Sequence, residues 1–515
     1  MGAEIAVTPG EITLAAARAI VRDDARFVLS GNWHGPVARA AEAVAQVVAK
    51  GAPVYGINTG FGKLAKTRIA DDALDDLQRR LVLSHCAGTG RLLDDETVDL
   101  ILALKINGLA QGVSGARPEL IDALIALLER RVRPCIPVKG SVGASGDLAP
   151  LAHLAAALIG IGEVRVDGEH MAAAQGLAKA GLAPFALGPK EGLAILNGTQ
   201  VSTALALTAL FAAEDAFAAA VVAGAMSVDA ARASDTPFDP RIAAWKRQPG
   251  TAALAQAYRE LLEGSEIRRS HVDCDRVQDP YSLRCQPQVM GACLDTMAFA
   301  AQVFAREANA VSDNPLVMVE TGEVLSGGNF HAEPVAMAAD TLALAIAEIG
   351  ALSERRIALL TDAALSGLPP FLVEGAGLNS GFMVAQVTAA ALASENKSLA
   401  HPASVDSLPT SANQEDHVSM SAFAARRLGE MAENTAAILG IEALCAAQGI
   451  EFHAPTGSSD ALMAVVAVIR EQVPRLGQDR FMAGDIAAAQ ELISSGAFAR
   501  FVPPGLVPSD AAVKL

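Results

Sequence analysis

The chain has 515 residues, of which 51% are hydrophobic and only 4% aromatic, and its formal net charge is −17 at pH 7. This length exceeds that of an ordinary single domain. The acidic balance gives no electrostatic support for binding nucleic acid or an anionic membrane surface. The six cysteines form no CxxC pair, a pattern typical of reduced thiols. We expect a soluble cytoplasmic protein without a signal peptide, since no basic region followed by an apolar run opens the sequence.

In chain order, residues 1–112 mix apolar runs with turn residues and predict a smaller mixed region, whereas residues 113–515 predict an extended α-helical domain. Long Ala- and Leu-rich segments predict helices at 119–130, 199–231, 288–310 and 334–360. Alternation of Val164 and Val166 predicts a short strand at 162–168. In the last helix we expect an apolar face formed by Leu342, Ile346 and Ile349. We expect its polar side to be formed by Glu354, Arg355 and Arg356. The predicted fold class is mainly α, with a long central helical bundle.

The competing interpretation of such an apolar chain is a membrane protein. The best spanning candidate is the uncharged stretch 192–213. It contains five polar residues, namely Asn197, Thr199, Gln200, Ser202 and Thr203. A spanning helix needs about 20 predominantly apolar residues, so this stretch predicts a buried helix of a bundle instead.

The segment 140–147 (GSVGASGD) carries the most informative chemistry. Small residues set among glycines allow the backbone to bend back on itself. If the Gly146 nitrogen reaches the carbonyl carbon of Ala144, a five-membered ring closes with loss of water. Loss of the Ser145 hydroxyl as a second water then leaves a 4-methylideneimidazol-5-one, a strong electrophile that needs no external cofactor. Asp147 is a candidate for assisting the proton transfers. Taken alone, however, such a segment is more often a flexible loop.

Other motif interpretations fail on spacing. No GxSxG pattern surrounds Ser145, as a hydrolase serine would require. Residues 55–63 do not form a phosphate-binding loop, because Ile57 occupies the position of its first glycine. The triplet His331-Ala332-Glu333 is not followed by the PCxxC of a zinc deaminase. We predict no metal site.

The wider set of motifs resembles the aromatic amino acid ammonia-lyase and aminomutase family, and in particular its histidine-specific branch. The matching segments are 55–62 (YGINTGFG), 83–88 (LSHCAG), 140–153 (GSVGASGDLAPLAH), 197–200 (NGTQ), 277–288 (VQDPYSLRCQPQ), 312–315 (SDNP), 327–334 (GGNFHAEP) and 401–419 (HPASVDSLPTSANQEDHVS). They extend over most of the chain. The resemblance implies elimination of ammonia from L-histidine to give trans-urocanate, the first step of histidine degradation, with a 4-methylideneimidazol-5-one formed from Ala144-Ser145-Gly146.

The resemblance also implies roles for the tyrosines and for Arg284. Tyr281 is expected to be the base, and Tyr55 to lie on the other side of the substrate as proton donor or carboxylate contact. A phenol has an unperturbed pKa of about 10, so its anion must be favoured. Arg284, three residues further on, is expected either to favour that anion or to bind the substrate carboxylate. Without the family context, each tyrosine is more simply a buried ring.

Further residues are expected to bind substrate or to line the site. Asn197 is expected to donate a hydrogen bond to the ring carbonyl of the prosthetic group or to the substrate. Gln278 and Phe330 are expected to line the pocket. Asn314 is expected to support the loop that carries Tyr281. Whether the substrate amine or its imidazole attacks the electrophile is left open by the sequence, and we favour the amine.

Substrate identity depends on His85 and Glu415. The Ser84-His85 pair resembles the histidine branch, and the Glu415 carboxylate can accept a hydrogen bond from an imidazole N–H, which phenylalanine does not offer. Three alternatives stay open: a tyrosine or phenylalanine lyase or an aminomutase of the same family, an inactive homologue, and a fumarase-type lyase. The family resemblance also implies a homotetramer whose active sites combine loops of more than one subunit.

Overall fold

The computed structural model describes residues 2–51, 53–60, 69–70, 73–271 and 277–510. Phe61 and Gly62 of the 55–62 motif, together with Cys274, lie outside these ranges. The α-helices are α1 (Leu14–Arg22), α2 (His34–Lys50), α3 (Leu74–His85), α4 (Asp95–Leu109), α5 (Pro118–Glu129), α6 (Leu148–Leu158), α7 (Ala173–Lys179), α8 (Glu191–Leu196), α9 (Gln200–Ala230), α10 (Pro240–Lys246), α11 (Pro249–Leu262), α12 (Glu266–Arg269), α13 (Tyr281–Arg284), α14 (Gln286–Ala308), α15 (Glu333–Thr361), α16 (Ala363–Ser366), α17 (Met383–Leu399), α18 (Ser421–Glu451), α19 (Asp460–Gln472) and α20 (Ala483–Ser494).

The strands are short: β1 (Glu4–Val7), β2 (Arg26–Leu29), β3 (Thr89–Leu92), β4 (Arg133–Pro134), β5 (Pro137–Lys139), β6 (Glu163–Val166), β7 (Glu169–Ala172), β8 (Leu316–Met318) and β9 (Glu323–Leu325). Strands β1 and β2 pair in parallel, with Ile5 opposite Phe27. Strands β3 and β5 pair antiparallel, β6 lies between β4 and β7, and β8 pairs with β9. These sheets are small additions to a mainly α protein, as predicted.

The core is built around α9, which is buried along almost its whole length and packs against α14, α15 and α18. A helix that is apolar on all sides is stable in this position because it exposes no face to water. Helices α9 and α15 are long and apolar enough to cross a membrane, but 83% and 67% of their most apolar windows are buried inside the protein. The predicted buried stretch 192–213 begins in α8 and continues into α9.

The four predicted long helices correspond to α5, α9, α14 and α15, with ends within two residues of the predicted ones. The predicted polar side of α15 is wrong. Glu354 and Arg356 are buried and only Arg355 is exposed. Glu354 accepts from Gln386 of α17, and α18 supplies a partner for Arg356 in the core. The Arg356 guanidinium donates to the Glu442 carboxylate at 2.7 Å, and both side chains are fully buried. Burial of a paired charge is tolerated where its hydrogen bonds are made.

Apolar side chains on both sides of residue 112 belong to one continuous core, in which Leu104 and Ile106 of α4 join Leu207 and Leu210 of α9. The division at residue 112 stays a prediction from the sequence. Helices α3, α6 and α8 contact one another beside this core, and together they carry one wall of the site described next.

Candidate active site

The triplet Ala144-Ser145-Gly146 lies in the turn between β5 and α6. Close packing around this turn requires glycine at positions 143 and 146. Gly143 and Gly146 have φ of +65° and +75°, which side-chain-bearing residues rarely adopt. A Cβ on Gly146 would lie 2.4 Å from the carbonyl oxygen of Gly198, and a Cβ on Gly143 would lie 2.2 Å from the Ser421 hydroxyl. Neither backbone position has room for a larger residue.

The turn is held from both sides by hydrogen bonds. The Asp147 amide donates to the Gly198 carbonyl at 2.8 Å, and the Ser419 hydroxyl donates to the Gly143 carbonyl at 2.9 Å. The fully buried Asp147 carboxylate accepts from the Ser202 amide at 2.7 Å and from the Ser141 hydroxyl at 2.9 Å. Burial raises the pKa of Asp147, and these hydrogen bonds oppose the rise. The carboxylate therefore anchors the turn to α9.

Asn197 follows α8 and points its side chain at the triplet. Its amide Nδ2 donates to the main-chain carbonyl of Ser145 at 2.7 Å. Its Oδ1 is buried and has no hydrogen-bond partner among the residues that the structure describes. A neutral donor aimed at a buried carbonyl is the arrangement that stabilises negative charge developing on that oxygen.

Glu415 approaches the triplet from the loop between α17 and α18. The Ser145 hydroxyl donates to its Oε1 at 2.8 Å, while the hydroxyls of Thr410 and Ser411 donate to its Oε2 at 2.5 and 2.9 Å. Burial acts to raise the pKa of Glu415, but these hydrogen bonds and the nearby His85 outweigh it, and the pKa lies below its ordinary value of 4.5. Glu415 is thus an ionised acceptor beside Ser145.

His85 ends α3 and has a defined ring orientation. Its Nδ1 lies 2.8 Å from the Leu81 carbonyl and 3.1 Å from the Ser84 hydroxyl. A carbonyl oxygen only accepts, so Nδ1 carries a proton and the ring is held in a fixed orientation. The sequence prediction placed His85 and Glu415 at one site, and the structure brings them together on one cavity.

This cavity has a volume of about 1190 Å³ and joins most of the predicted site residues. Those that line it are Tyr55, His85, Ala144, Ser145, Asn197, Phe330 and Glu415. Asn314 also lines it, but its hydrogen bonds go to Ser326 and to the Gly327 amide rather than to the segment of Tyr281. A cavity of this size accommodates an amino acid substrate with room for ordered water.

The segment of Tyr281 does not reach the cavity within one chain. Tyr281 begins the short helix α13 and is 70% exposed, and the Arg284 guanidinium lies over its ring at 4.7 Å from the centroid. Gln278 and Arg284 line a second cavity of about 820 Å³ instead. The predicted turn that brings Arg284 to Tyr281 is therefore present. The placement of Gln278, Tyr281 and Arg284 beside Ser145 is not achieved by this chain alone.

Comparison with known proteins identifies the family that carries this arrangement. The family model described as aromatic amino acid lyase matches residues 12–471. The chain belongs to the aromatic amino acid lyase family. It is 64% identical, over 97% of its own length and 95% of the relative's, to a protein named histidine ammonia-lyase from Aromatoleum aromaticum.

Solved structures of aromatic amino acid lyases share the fold closely. Histidine ammonia-lyase from Trypanosoma cruzi matches with a TM-score of 0.90 at 38% identity, covering 98% of this chain and 96% of that one. Tyrosine aminomutase from Streptomyces globisporus matches with a TM-score of 0.92 at 35% identity, covering 96% and 98%. Because a lyase and an aminomutase match equally well, the fold alone does not distinguish the two reactions.

Several residues of this candidate site were missed by the sequence prediction. Thr410 and Ser411, which hold Glu415, lie within the matched 401–419 segment but carry no chemical signal of their own. Lys105 lies in the buried helix α4 and donates to the main-chain carbonyl of Asn197. A single lysine in the apolar run 100–106 was a visible anomaly, and it is the signal that would have found this residue.

Proposed function

We propose that this protein eliminates ammonia from L-histidine to give trans-urocanate, with a 4-methylideneimidazol-5-one formed from Ala144-Ser145-Gly146. The observation that carries the proposal is the ionised Glu415 carboxylate beside Ser145, with His85 lining the same cavity. An apolar pocket would suit phenylalanine, whereas a carboxylate acceptor suits an imidazole N–H. The 64% identity to a protein named histidine ammonia-lyase supports the same substrate.

The residues around the triplet fit the proposed prosthetic group. Closing the ring between Gly146 and Ala144 leaves the Ser145 carbonyl as the ring carbonyl, and this is the oxygen that already accepts from Asn197. The tight contact between Gly146 and Gly198 leaves no space for a Cβ at the position where the backbone must fold back. When formed, the group supplies an electrophilic carbon that makes the β-proton of the substrate removable.

The remaining residues bind the substrate and move its protons in this proposal. Glu415 accepts the imidazole N–H, and His85 contacts the same ring. Tyr55 and Phe330 line the same cavity. Tyr281 takes the β-proton as the base, and the planar guanidinium of Arg284 binds the carboxylate, with Gln278 beside it.

We further propose a homotetramer in which Tyr281 of one chain completes the cavity of another. The exposed position of Tyr281, away from the Ser145 cavity, supports this arrangement. Apolar side chains are also exposed on four long helices of the bundle, namely Phe299 of α14, Met337 and Leu344 of α15, Val384 and Val387 of α17, and Phe423 of α18. Apolar surface on bundle helices is typical of subunit interfaces. A cytoplasmic location stays a prediction from the sequence.

The test is to mix the purified protein with L-histidine and to follow urocanate by ultraviolet absorbance, with L-phenylalanine and L-tyrosine in parallel. We expect urocanate from histidine and negligible cinnamate or coumarate. A β-amino acid product would indicate an aminomutase, and product from phenylalanine alone would refute the role of Glu415. Ser145→Ala should abolish the reaction, whereas a fumarase-type lyase would keep its activity.

A further inference from the structure

Lys105 is a buried lysine that contacts the backbone of Asn197, the residue whose side chain donates to Ser145. It lies on α4 and is 2% exposed. Its Nζ donates to the main-chain carbonyl of Asn197 at 2.8 Å and to that of Ala194 at 3.2 Å. Placing an ammonium in the protein interior is costly unless its hydrogen bonds are made there. A buried lysine in such a position is therefore a candidate for a functional role.

The partners of Lys105 are carbonyls rather than a carboxylate. Within the described ranges no carboxylate oxygen lies within 4.0 Å of its ammonium. The nearby Asp313 carboxylate pairs with Lys190 instead, at 2.6 Å. Ala194 and Asn197 lie at the carboxyl end of α8, where helix carbonyls lack intrahelical partners and a positive charge is favourable. Lys105 thus caps the short helix that leads into Asn197.

Burial and the nearby charges together set the pKa of Lys105. Burial lowers its pKa to about 7, while Asp313 and Asp147 act to raise it and Lys190 lowers it further. The ammonium has three donors, and even the neutral amine keeps two. Both forms can hold the two carbonyls, and the charged form holds them more strongly.

Asn197 is consequently held at three points. Lys105 binds its main-chain carbonyl, and its side-chain amide donates to the Ser145 carbonyl at 2.7 Å. The Asn197 amide N–H donates to the Leu193 carbonyl at 2.8 Å, which continues the last turn of α8. The aim of the Asn197 side chain depends on where its backbone is fixed, and Lys105 contributes to fixing that backbone.

We propose that Lys105 is a positioning residue, which aims the Asn197 amide at the Ser145 carbonyl and thereby supports charge stabilisation in the reaction. This inference rests on the proposed function. It assigns Lys105 no contact with the substrate. Its loss should lower kcat and leave KM largely unchanged, because the substrate-binding side chains lie on other elements.

The test is a double-mutant cycle on the full-length protein with Lys105→Met, Asn197→Ala and the combined variant. Removing a donor of the kind that Asn197 supplies costs about a hundredfold to a thousandfold in kcat. We expect Lys105→Met to cost about tenfold to a hundredfold, since it acts through that donor. In the Asn197→Ala background, Lys105→Met should change kcat by less than about twofold. Losses that multiply independently would overturn the inference.

A second readout does not depend on turnover. The ultraviolet absorption of the prosthetic group, taken as a difference against Ser145→Ala, reports the environment of its ring carbonyl. We expect Asn197→Ala and Lys105→Met to shift this band in the same direction, and Lys105→Arg to keep it near the wild-type position. A band shifted by Asn197→Ala but not by Lys105→Met would contradict the proposal.

Controls separate this role from a general effect on folding. Lys179→Met removes an exposed lysine that pairs with Glu169, and it should leave kcat and the absorption band unchanged. If Lys105→Met does not fold, Lys105→Gln, which keeps an amide donor without charge, replaces it in both measurements. Wild-type protein that forms no urocanate from L-histidine would refute the proposed function, and the absorption shifts would still decide the positioning role.

Discussion

The Ser145 hydroxyl donates a 2.8 Å hydrogen bond to the carboxylate of Glu415, a residue 270 positions further along the chain. This contact joins the residue from which the electrophile is proposed to form to the residue proposed to recognise the imidazole. It requires the turn after β5 and the loop before α18 to meet.

Glu415→Gln should lower kcat/KM for L-histidine by about ten- to a hundredfold, because a charge-assisted hydrogen bond is replaced by a neutral one. Steady-state urocanate formation measures the effect. Glu320→Gln, which removes an exposed carboxylate outside the cavity, is the matched control and should match the wild type. Equal kcat/KM for the Glu415 variant and the control would rule out recognition by this carboxylate.

The Glu415 carboxylate should also make the stability of the fold depend on pH. Its folded pKa lies below the ordinary 4.5, so the hydrogen bonds from Thr410 and Ser411, which remain after Ser145 has lost its hydroxyl, stabilise the folded state above pH 4.5. This contribution is lost as the pH falls through the folded pKa. In thermal unfolding, the difference in Tm between wild type and Glu415→Gln should therefore be largest near neutral pH and narrow in acid. A difference that is constant with pH would contradict the assigned shift.

Gly146→Ala should prevent formation of the electrophile. The added Cβ would lie 2.4 Å from the Gly198 carbonyl oxygen, which forces the backbone of the turn to move. Mass spectrometry of the peptide that contains residues 144–146 should show the wild type lighter by two water molecules and the variant at its full mass. Gly162→Ala is the control, since Gly162 has φ +82° but no atom near the added Cβ. That variant should keep the mass loss and the activity.

Ser145→Ala and Tyr281→Phe chains should complement each other if active sites are shared between subunits. Each variant alone is expected to be inactive. When the two are co-expressed with different tags, random mixing should place wild-type Ser145 and wild-type Tyr281 together in roughly a quarter of the sites. The activity of assemblies purified through both tags measures this. Purified mixed assemblies without activity would show that the two residues act within one chain.

Much of the secondary structure was predictable because its signals are local. Pro118 at the start of α5 and the long Ala-rich runs of α9 and α15 predict helices without knowledge of the partners. The polar side predicted for α15 was wrong because local signals do not show the partners that other helices supply. The pattern around Arg356 shows a charge but not the buried Glu442 that α18 places opposite it.

The sequence by itself determined the reactive triplet and the segments that accompany it, since ring closure needs three adjacent residues of the right types. It also determined the helical architecture, because helix formation depends on the pattern of neighbouring residues along the chain. Only the tertiary structure decided that Glu415 meets Ser145, that Lys105 supports Asn197, and that Tyr281 lies outside the cavity of its own chain. These relationships join residues tens to hundreds of positions apart, so they depend on how the helices pack and not on any pattern along the chain.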